Sequence, residues 1–195
     1  MWRVPTEKRE LYLTFDDGPV PGPTEFVLEH LKKHEARATF FCIGDNVRKH
    51  PGVFEKVVTE GHAVGNHTFN HVKGWTTSLQ KYLDNVAECE SLIHHSIPGI
   101  PHSLFRPPYG RITSSQIKSL KHHYQIVMWD VLTHDYSKSI SGDNCLHGSI
   151  KAARPGSIVV FHDSLKAERN LTYVLPKFLE YFASRGFVFK TLLDN

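Results

Sequence analysis

A chain of 195 residues with 40% apolar content can bury one good core and is short for two domains, so residues 1–195 read as a single domain. The formal net charge of +3 comes without a run of five like charges, which describes a solvated surface and argues against a nucleic-acid footprint; three cysteines are too few and too odd in number for a disulfide framework. No apolar stretch approaches the ~18 residues of a membrane span, and Met1-Trp2-Arg3-Val4-Pro5 opens no signal-peptide pattern, so the chain as given reads as soluble and cytoplasmic unless an export signal has been removed.

Leu11 to Phe15 reads as a buried strand that runs abruptly into Asp16-Asp17-Gly18-Pro19. Side chains alternate along a strand, so Asp16 and Asp17 face one site only if the backbone turns there, as Gly18 and Pro19 permit. Two such carboxylates against an apolar core need a cation or a shared proton; otherwise they close the strand as an Asx-type turn, and these residues alone leave both readings open. A helix starting at Pro23-Thr24 and carrying Val27, Leu28 and Leu31 on one face leads to a strand over Ala38 to Ile43. A helix with Pro51 near its start and Val53, Phe54, Val57 and Val58 apolar stops at Gly61, before a short strand-like piece, His62 to Asn66. Ser78 marks the start of a long helix that the Pro98 to Pro101 turn ends, followed by a strand over Ser103 to Arg106. A helix over Ser115 to Lys121, a strand over Gln125 to Val131, a helix near Leu146 to Ala153 and a strand over Ser157 to His162 come next. A helix over Leu171 to Ser184, capped by Gly186, and a strand over Phe187 to Lys190 close the chain.

Strands alternating with helices argue for a parallel sheet, open or closed into a barrel. Asp16 and Asp17, His67, Arg106, Asp130 and Asp135, and His162 all fall at or after the carboxyl ends of predicted strands, and so many strand ends converge most easily on the carboxyl face of a barrel. At about 250 residues for a full eight-fold barrel, this chain is expected to form a smaller one of roughly seven strands, incompletely closed.

His67 and His71 stand four apart just after a strand, a spacing that places two imidazoles on one face of a helical turn and suits a shared metal ion. Thr68 follows the first histidine where a zincin would have glutamate, which disfavours that class. A catalytic zinc takes three protein ligands, and Asp17 is the natural third. In a chain of 14 histidines the spacing alone is weak, and pairs such as His94-His95 and His122-His123 adjoin helix ends where imidazoles are often only solvated. Arg106 ends an apolar strand before two prolines, positioned either to grip a carboxylate bidentately or to stand as a surface arginine beside a stiff turn. His162 ends another apolar strand, as a catalytic group or a satisfied core residue.

Taken together, Thr-Phe-Asp-Asp-Gly at 14 to 18, His-Thr-x-x-His at 67 to 71, Arg-Pro-Pro-Tyr-Gly at 106 to 110, Trp129 with Asp135, and Val-Phe-His at 160 to 162 resemble the polysaccharide deacetylases, the NodB-homology domain of carbohydrate esterase family 4. The five motifs stand in the family's order and span most of the chain, with a core over residues 10–190. The resemblance implies a distorted (β/α)7 barrel, one divalent metal ion (Zn2+ first, with Co2+, Ni2+ and Mn2+ as alternatives) and hydrolysis of N-acetyl, less often O-acetyl, groups on a glycan. Carried over by motif, Asp16 is the general base, Asp17, His67 and His71 are the metal ligands, Arg106 orients Asp16, His162 is the general acid and Asp135 holds its other nitrogen. Tyr109, through its N–H, and Trp129 belong to the substrate-binding groove. The chemistry makes the same division, because a carboxylate bound to metal cannot also take a proton freely from water. The sequence departs from the family at Tyr136, where tryptophan is usual. Two other classes stay open: a non-catalytic carbohydrate-binding relative, and a metal-dependent amidohydrolase acting on small non-sugar amides. The glycan itself, whether peptidoglycan, chitin, xylan or a capsular polymer, and the oligomeric state are not readable from the residues.

Overall fold

The computed structural model describes residues 1–96 and 103–194, and the expected Pro98 to Pro101 turn lies outside the described residues. The order is β1 (Glu10–Asp16), α1 (Pro23–Lys33), β2 (Thr39–Cys42), α2 (Gly44–Lys49), α3 (Pro51–Thr59), β3 (Ala63–Asn66), α4 (Leu79–Ser96), β4 (Ser103–Phe105), α5 (Ser114–Leu120), β5 (Tyr124–Ile126), β6 (Val131–Leu132), α6 (Gly142–Ala152), β7 (Ile158–His162), α7 (Glu168–Ala183) and β8 (Val188–Phe189). Every strand pairing is parallel, in the order β5-β4-β3-β2-β1-β7-β6, with β8 joined to the start of β1. The result is the curled, incompletely closed sheet expected of a NodB-like (β/α)7 fold. Among the described residues no helix is long and apolar enough to cross a membrane.

β1 lies at the centre, buried along its whole length, and its two faces do different work. Leu11, Leu13 and Phe15 point outward with Phe40, Val159 and Phe161 into a core covered by Val27, Leu28 and Leu31 of α1 and by Leu171, Val174, Leu175, Phe178 and Leu179 of α7. The alternate residues Tyr12, Thr14 and Asp16 face the interior of the curl. Phe161 shows how tightly the outer layer is set, with ring centroids 5.8 Å from Phe15 and 5.7 Å from Phe178; truncating such a ring costs about 3–5 kcal/mol. The same alternation therefore sends apolar side chains to the helices and polar ones to the site.

Three expectations need correction. The apolar run Gln125 to Val131 is not one strand: β5 and β6 lie on opposite edges of the sheet, and residues 127–130 cross the opening between them. Val127 N donates to Phe105 O (2.8 Å) on one side, Asp130 N to Ile158 O (3.3 Å) on the other, and Met128 N to Met1 O (2.6 Å) between, so the first residue helps fill the gap. Second, a short helix, α2, precedes the predicted helix at Pro51; Gly44 starts it because an added Cβ would come within 2.7 Å of the Phe69 ring. Third, α6 begins at Gly142, where the Ser141 side chain accepts from Asn144 N, ahead of the predicted Leu146. The expected close of α7 is found, with Gly186 at φ +75° and Phe187 N donating back to Phe182 O.

Candidate active site

The chain leaves β1 through a turn in which Asp17 takes φ +81°, a left-handed conformation uncommon outside glycine. That single reversal breaks the strand alternation, so the carboxylates of Asp16 and Asp17 line the same cavity. The turn is held from outside: Asn46 Nδ2 donates to Asp17 O (2.7 Å), and Gly18 N donates to Asp163 Oδ1 (3.0 Å), whose other oxygen accepts from Thr24 Oγ1 (2.6 Å). Gly18 is obligatory there, since a Cβ would sit 2.0 Å from Asp163 Oδ2.

His67 and His71 approach Asp17 from the end of β3. The segment between them is a loop rather than the expected helical turn, with Thr68 at φ +64° and His71 at φ +53°, and it brings the two rings to a centroid distance of 5.1 Å. Asp17 Oδ1 lies 3.3 Å from His71 Nε2 and 3.8 Å from His67 Nε2. Around a tetrahedral ion with bonds near ~2.1 Å, donor atoms are spaced about 3.4 Å apart. The chemistry fits as well. Asp17 Oδ1 is buried and receives no hydrogen bond, the Nδ1 of His67 is engaged by Arg106 O (2.8 Å), which leaves its Nε2 facing the aspartate, and the set is two imidazoles and one carboxylate. Burial, reinforced by His71, pushes His67 down to about 3, and burial lowers His71, so both rings are held in the neutral form that a metal requires. These three residues could hold one divalent cation.

Arg106 is fully buried behind Asp16 and donates from Nη1 to Asp16 Oδ1 (2.6 Å) and to Thr14 Oγ1 (2.8 Å), and from Nη2 to Met128 O (3.0 Å). Its guanidinium carbon lies 4.1 Å over the Phe41 ring. A buried cation so fully satisfied fixes the rotamer of Asp16, and removing one partner of such a pair costs about 3–5 kcal/mol. On the neighbouring strand, in register with Asp16, His162 at the end of β7 shares its Nδ1 with Asp135 Oδ1 (2.7 Å), and its backbone N donates to Asp135 Oδ2 (2.7 Å). Burial alone would lower His162, but the Asp135 carboxylate, joined by those of Asp17 and Asp16, outweighs it, and His162 is raised to about 9.

The cavity, about 220 Å³, is lined by Asp16, Asp17, His67, His71, Tyr109, Trp129 and His162, so the structure brings together every residue singled out from the sequence, with Arg106 and Asp135 directly behind. Asp130 is the exception among the polar residues noted near strand ends: its carboxylate accepts from Ser157 Oγ and Ile158 N and stitches the start of β7 instead. Sequence reasoning missed Asp163, the brace of the Asp16–Gly18 turn, although it directly follows His162. It gave no separate role to Thr14, which accepts from Arg106, and missed Leu132 and Lys166, which line the cavity. Burial pushes the Asp163 carboxyl up to about 8. Tyr136 occupies the wall where the family tryptophan is usual, its ring edge-on to His162 at 4.9 Å with Lys166 Nζ 5.1 Å from its centroid. Asp135 keeps its contacts with His162 despite that change.

Fold and site together define a class: an α/β-barrel hydrolase that works at the carboxyl ends of its strands. The sequence model of the polysaccharide deacetylase family matches residues 3–126. The chain is 32% identical over 190 residues to a peptidoglycan-N-acetylglucosamine deacetylase of Bacillus cereus, covering 96% of this chain and 68% of that protein. It is 34% identical over 173 residues to a chitooligosaccharide deacetylase of Azorhizobium caulinodans, covering 83% of this chain and 77% of that protein. A solved peptidoglycan N-acetylglucosamine deacetylase in complex with 4-naphthalen-1-yl-N-oxidanyl-benzamide superposes with a TM-score of 0.92 at 31% identity, covering 99% of this chain and 90% of that one. The chain belongs to the polysaccharide deacetylases, carbohydrate esterase family 4, and is a hydrolase of that family.

Proposed function

We propose that this enzyme removes the acetyl group of N-acetylated hexosamine residues in a glycan and releases acetate, using one divalent metal ion held by Asp17, His67 and His71. The observation that carries this reading is the convergence on one 220 Å³ cavity of that donor set, a carboxylate locked by Arg106 and a histidine locked by Asp135. The relatives above, named for N-acetylglucosamine in peptidoglycan and for chitooligosaccharide, support the substrate class. When bound, the ion, Zn2+ by the donor set with Co2+, Ni2+ or Mn2+ able to substitute, supplies an acidified water and a polarised acetyl carbonyl. Asp16 takes the proton of the attacking water, and Arg106 keeps its free oxygen aimed for that transfer. The Tyr109 N–H offers a hydrogen bond to the carbonyl oxygen as negative charge develops on it. His162, kept protonated by Asp135, delivers its proton to the leaving amine, and Trp129 and Tyr136 exclude water from the reacting bond.

The test is acetate release from chitooligosaccharides and peptidoglycan fragments beside a panel of small non-sugar amides, after chelation and re-addition of metals. The expected result is activity on the glycans that chelation abolishes and zinc or cobalt restores. Turnover of small amides only, or full activity in a metal-free sample, overturns the reading.

A further inference from the structure

Asp135 sits in residues 133–140, a stretch without helix or strand between β6 and α6, so the carbonyls there find no partners in secondary structure and need other donors. The chain reverses just before it, at His134 with φ +59°, a conformation that its surroundings must hold. The donors come from the first turn of α7. Asn170, buried, places its Nδ2 3.1 Å from Asp135 O, 3.0 Å from Ser137 O and 3.2 Å from Ile140 O. Arg169 beside it directs Nη2 to Ser137 O (3.2 Å), Lys138 O (3.3 Å) and Ile140 O (3.0 Å). Its Nε donates to Asn170 Oδ1 (3.3 Å), and since a guanidinium has only donors, this contact turns the amide nitrogen of Asn170 toward the loop. The two clamps differ in one bond. Ser137 O and Ile140 O have a donor in each side chain, whereas Asp135 O accepts, among the described residues, from Asn170 alone.

That bond matters because of what Asp135 does with its other end. Its two carboxylate oxygens meet His162 at once, Oδ1 at Nδ1 and Oδ2 at the backbone N, both at 2.7 Å, and Oδ1 also accepts from Tyr136 N (3.0 Å). Hydrogen bonds weaken steeply when misaligned, so a carboxylate that makes three of them needs its own backbone fixed. Asp135 is 1% exposed, and no bulk water stands in for a lost donor at its carbonyl. His162 ends β7 and Asn170 lies in the first turn of the helix that follows, so one stretch of chain grips Asp135 by its carboxylate and by its carbonyl. We propose that Asn170 is a positioning residue for the deacetylation: it fixes the backbone of Asp135 so that the Asp135 carboxylate holds His162 in line to deliver its proton to the leaving amine. The proposal rests on the deacetylase reading above.

The test is a double-mutant cycle on acetate release by the zinc-loaded full chain, from chitopentaose or peptidoglycan fragments, whichever the wild type turns over faster. The variants are Asn170→Ala, Asn170→Leu, Asp135→Asn and each Asn170 change combined with Asp135→Asn, with Arg169→Ala as the control; melting temperatures and metal content verify fold and site. Leucine fills the volume of the amide and alanine leaves room for water, so the role of the donor is read in two different packings. Each Asn170 change is expected to lower kcat by about tenfold to a hundredfold with KM moved less than about twofold, because a misaimed proton donor is felt in the transition state and not in substrate binding. Each double variant should be no slower than Asp135→Asn alone, since a residue that acts through Asp135 then has nothing left to position. Arg169→Ala spares the bond to Asp135 O and should leave kcat within about twofold of wild type. Wild-type kcat in a folded Asn170 variant, a loss carried by KM, or losses that add in the double variants overturn the proposal. Equal losses in Arg169→Ala and Asn170→Ala also overturn it, because α7 would then hold the loop as a whole and not Asp135. Any of these with an active wild type sinks the positioning role alone, whereas a wild type that releases acetate from neither glycan sinks the deacetylase reading and the positioning role with it.

Discussion

Asp16 and Asp17 are neighbours in sequence with opposite surroundings, and this contrast decides what each can do. Asp16 is buried against Arg106, whereas Asp17 Oδ1 is buried against two neutral imidazoles that bring it no proton. Asp17→Ala should therefore lose the bound metal and activity together, since two histidines alone hold zinc poorly. Asp16→Asn keeps the shape beside Arg106 but cannot accept a proton; metal content should stay at one per chain while turnover falls at least about a hundredfold. Equal turnover in folded Asp16→Asn and wild type would remove Asp16 from the chemistry. His162 gives a second test at this scale. Its value in the folded chain is raised, from 6.5 to about 9, by Asp135 against the opposing effect of burial, so the charged pair adds stability that is complete below about 6.5 and is lost as pH rises through about 9. Activity should follow the same proton, with kcat falling on the alkaline side as His162 deprotonates, earlier than pH 9 once a cation sits nearby. Asp135→Asn should move that alkaline limb to lower pH without altering metal content. An unmoved limb would assign it to another group.

At the scale of elements, the parts legible from sequence were those where an apolar run stops sharply at a polar residue. β1 ending at Asp16 and β7 ending at His162 are of this kind, because alternation and burial are properties of the strand itself. What stayed hidden was set by distant partners. Nothing within Gln125 to Val131 says that Val127 will pair toward Phe105 and Asp130 toward Ile158, so the break between β5 and β6 could not be read. The four-residue spacing of His67 and His71 correctly joined them, but for the wrong backbone: two left-handed residues do what a helical turn was expected to do. The Pro108–Gly110 3-10 turn carries a similar hidden demand, with Tyr109 at φ +61° and Gly110 at φ +64° pressed against Trp129. Gly110→Ala should strain the backbone and push either Trp129 or the Tyr109 amide out of place. The expected outcome is a loss of kcat/KM of about tenfold or more, with metal content unchanged, because the proposed ligands Asp17, His67 and His71 come from other elements. Wild-type kinetics in this variant would mean that neither Trp129 nor the Tyr109 amide is positioned by the turn.

For the whole molecule, the donor set joins parts of the chain that only folding brings together. Asp17 follows β1, His67 and His71 follow β3, and an unfolded chain has no reason to hold them near one another. An ion bound by these three therefore binds the folded state alone and stabilises it by RT ln(1 + [L]/Kd), about 2.7 kcal/mol at a hundredfold excess over Kd. For a chain of this size 1 kcal/mol shifts Tm by about 2–4 °C, so saturating zinc should raise Tm by roughly 5–11 °C and chelation should reverse it. Without the ion the site works against the fold, because a buried carboxylate oxygen without a hydrogen bond costs about 1–3 kcal/mol. Asp17→Ala in the metal-free state should accordingly melt no lower than metal-free wild type, even as its response to zinc disappears. Asp16→Asn should keep the zinc response, since Asp16 lies outside the donor set. Calorimetric melts of the three proteins with and without zinc decide the matter: a zinc-dependent rise in Tm that survives Asp17→Ala would place the ion elsewhere in the molecule.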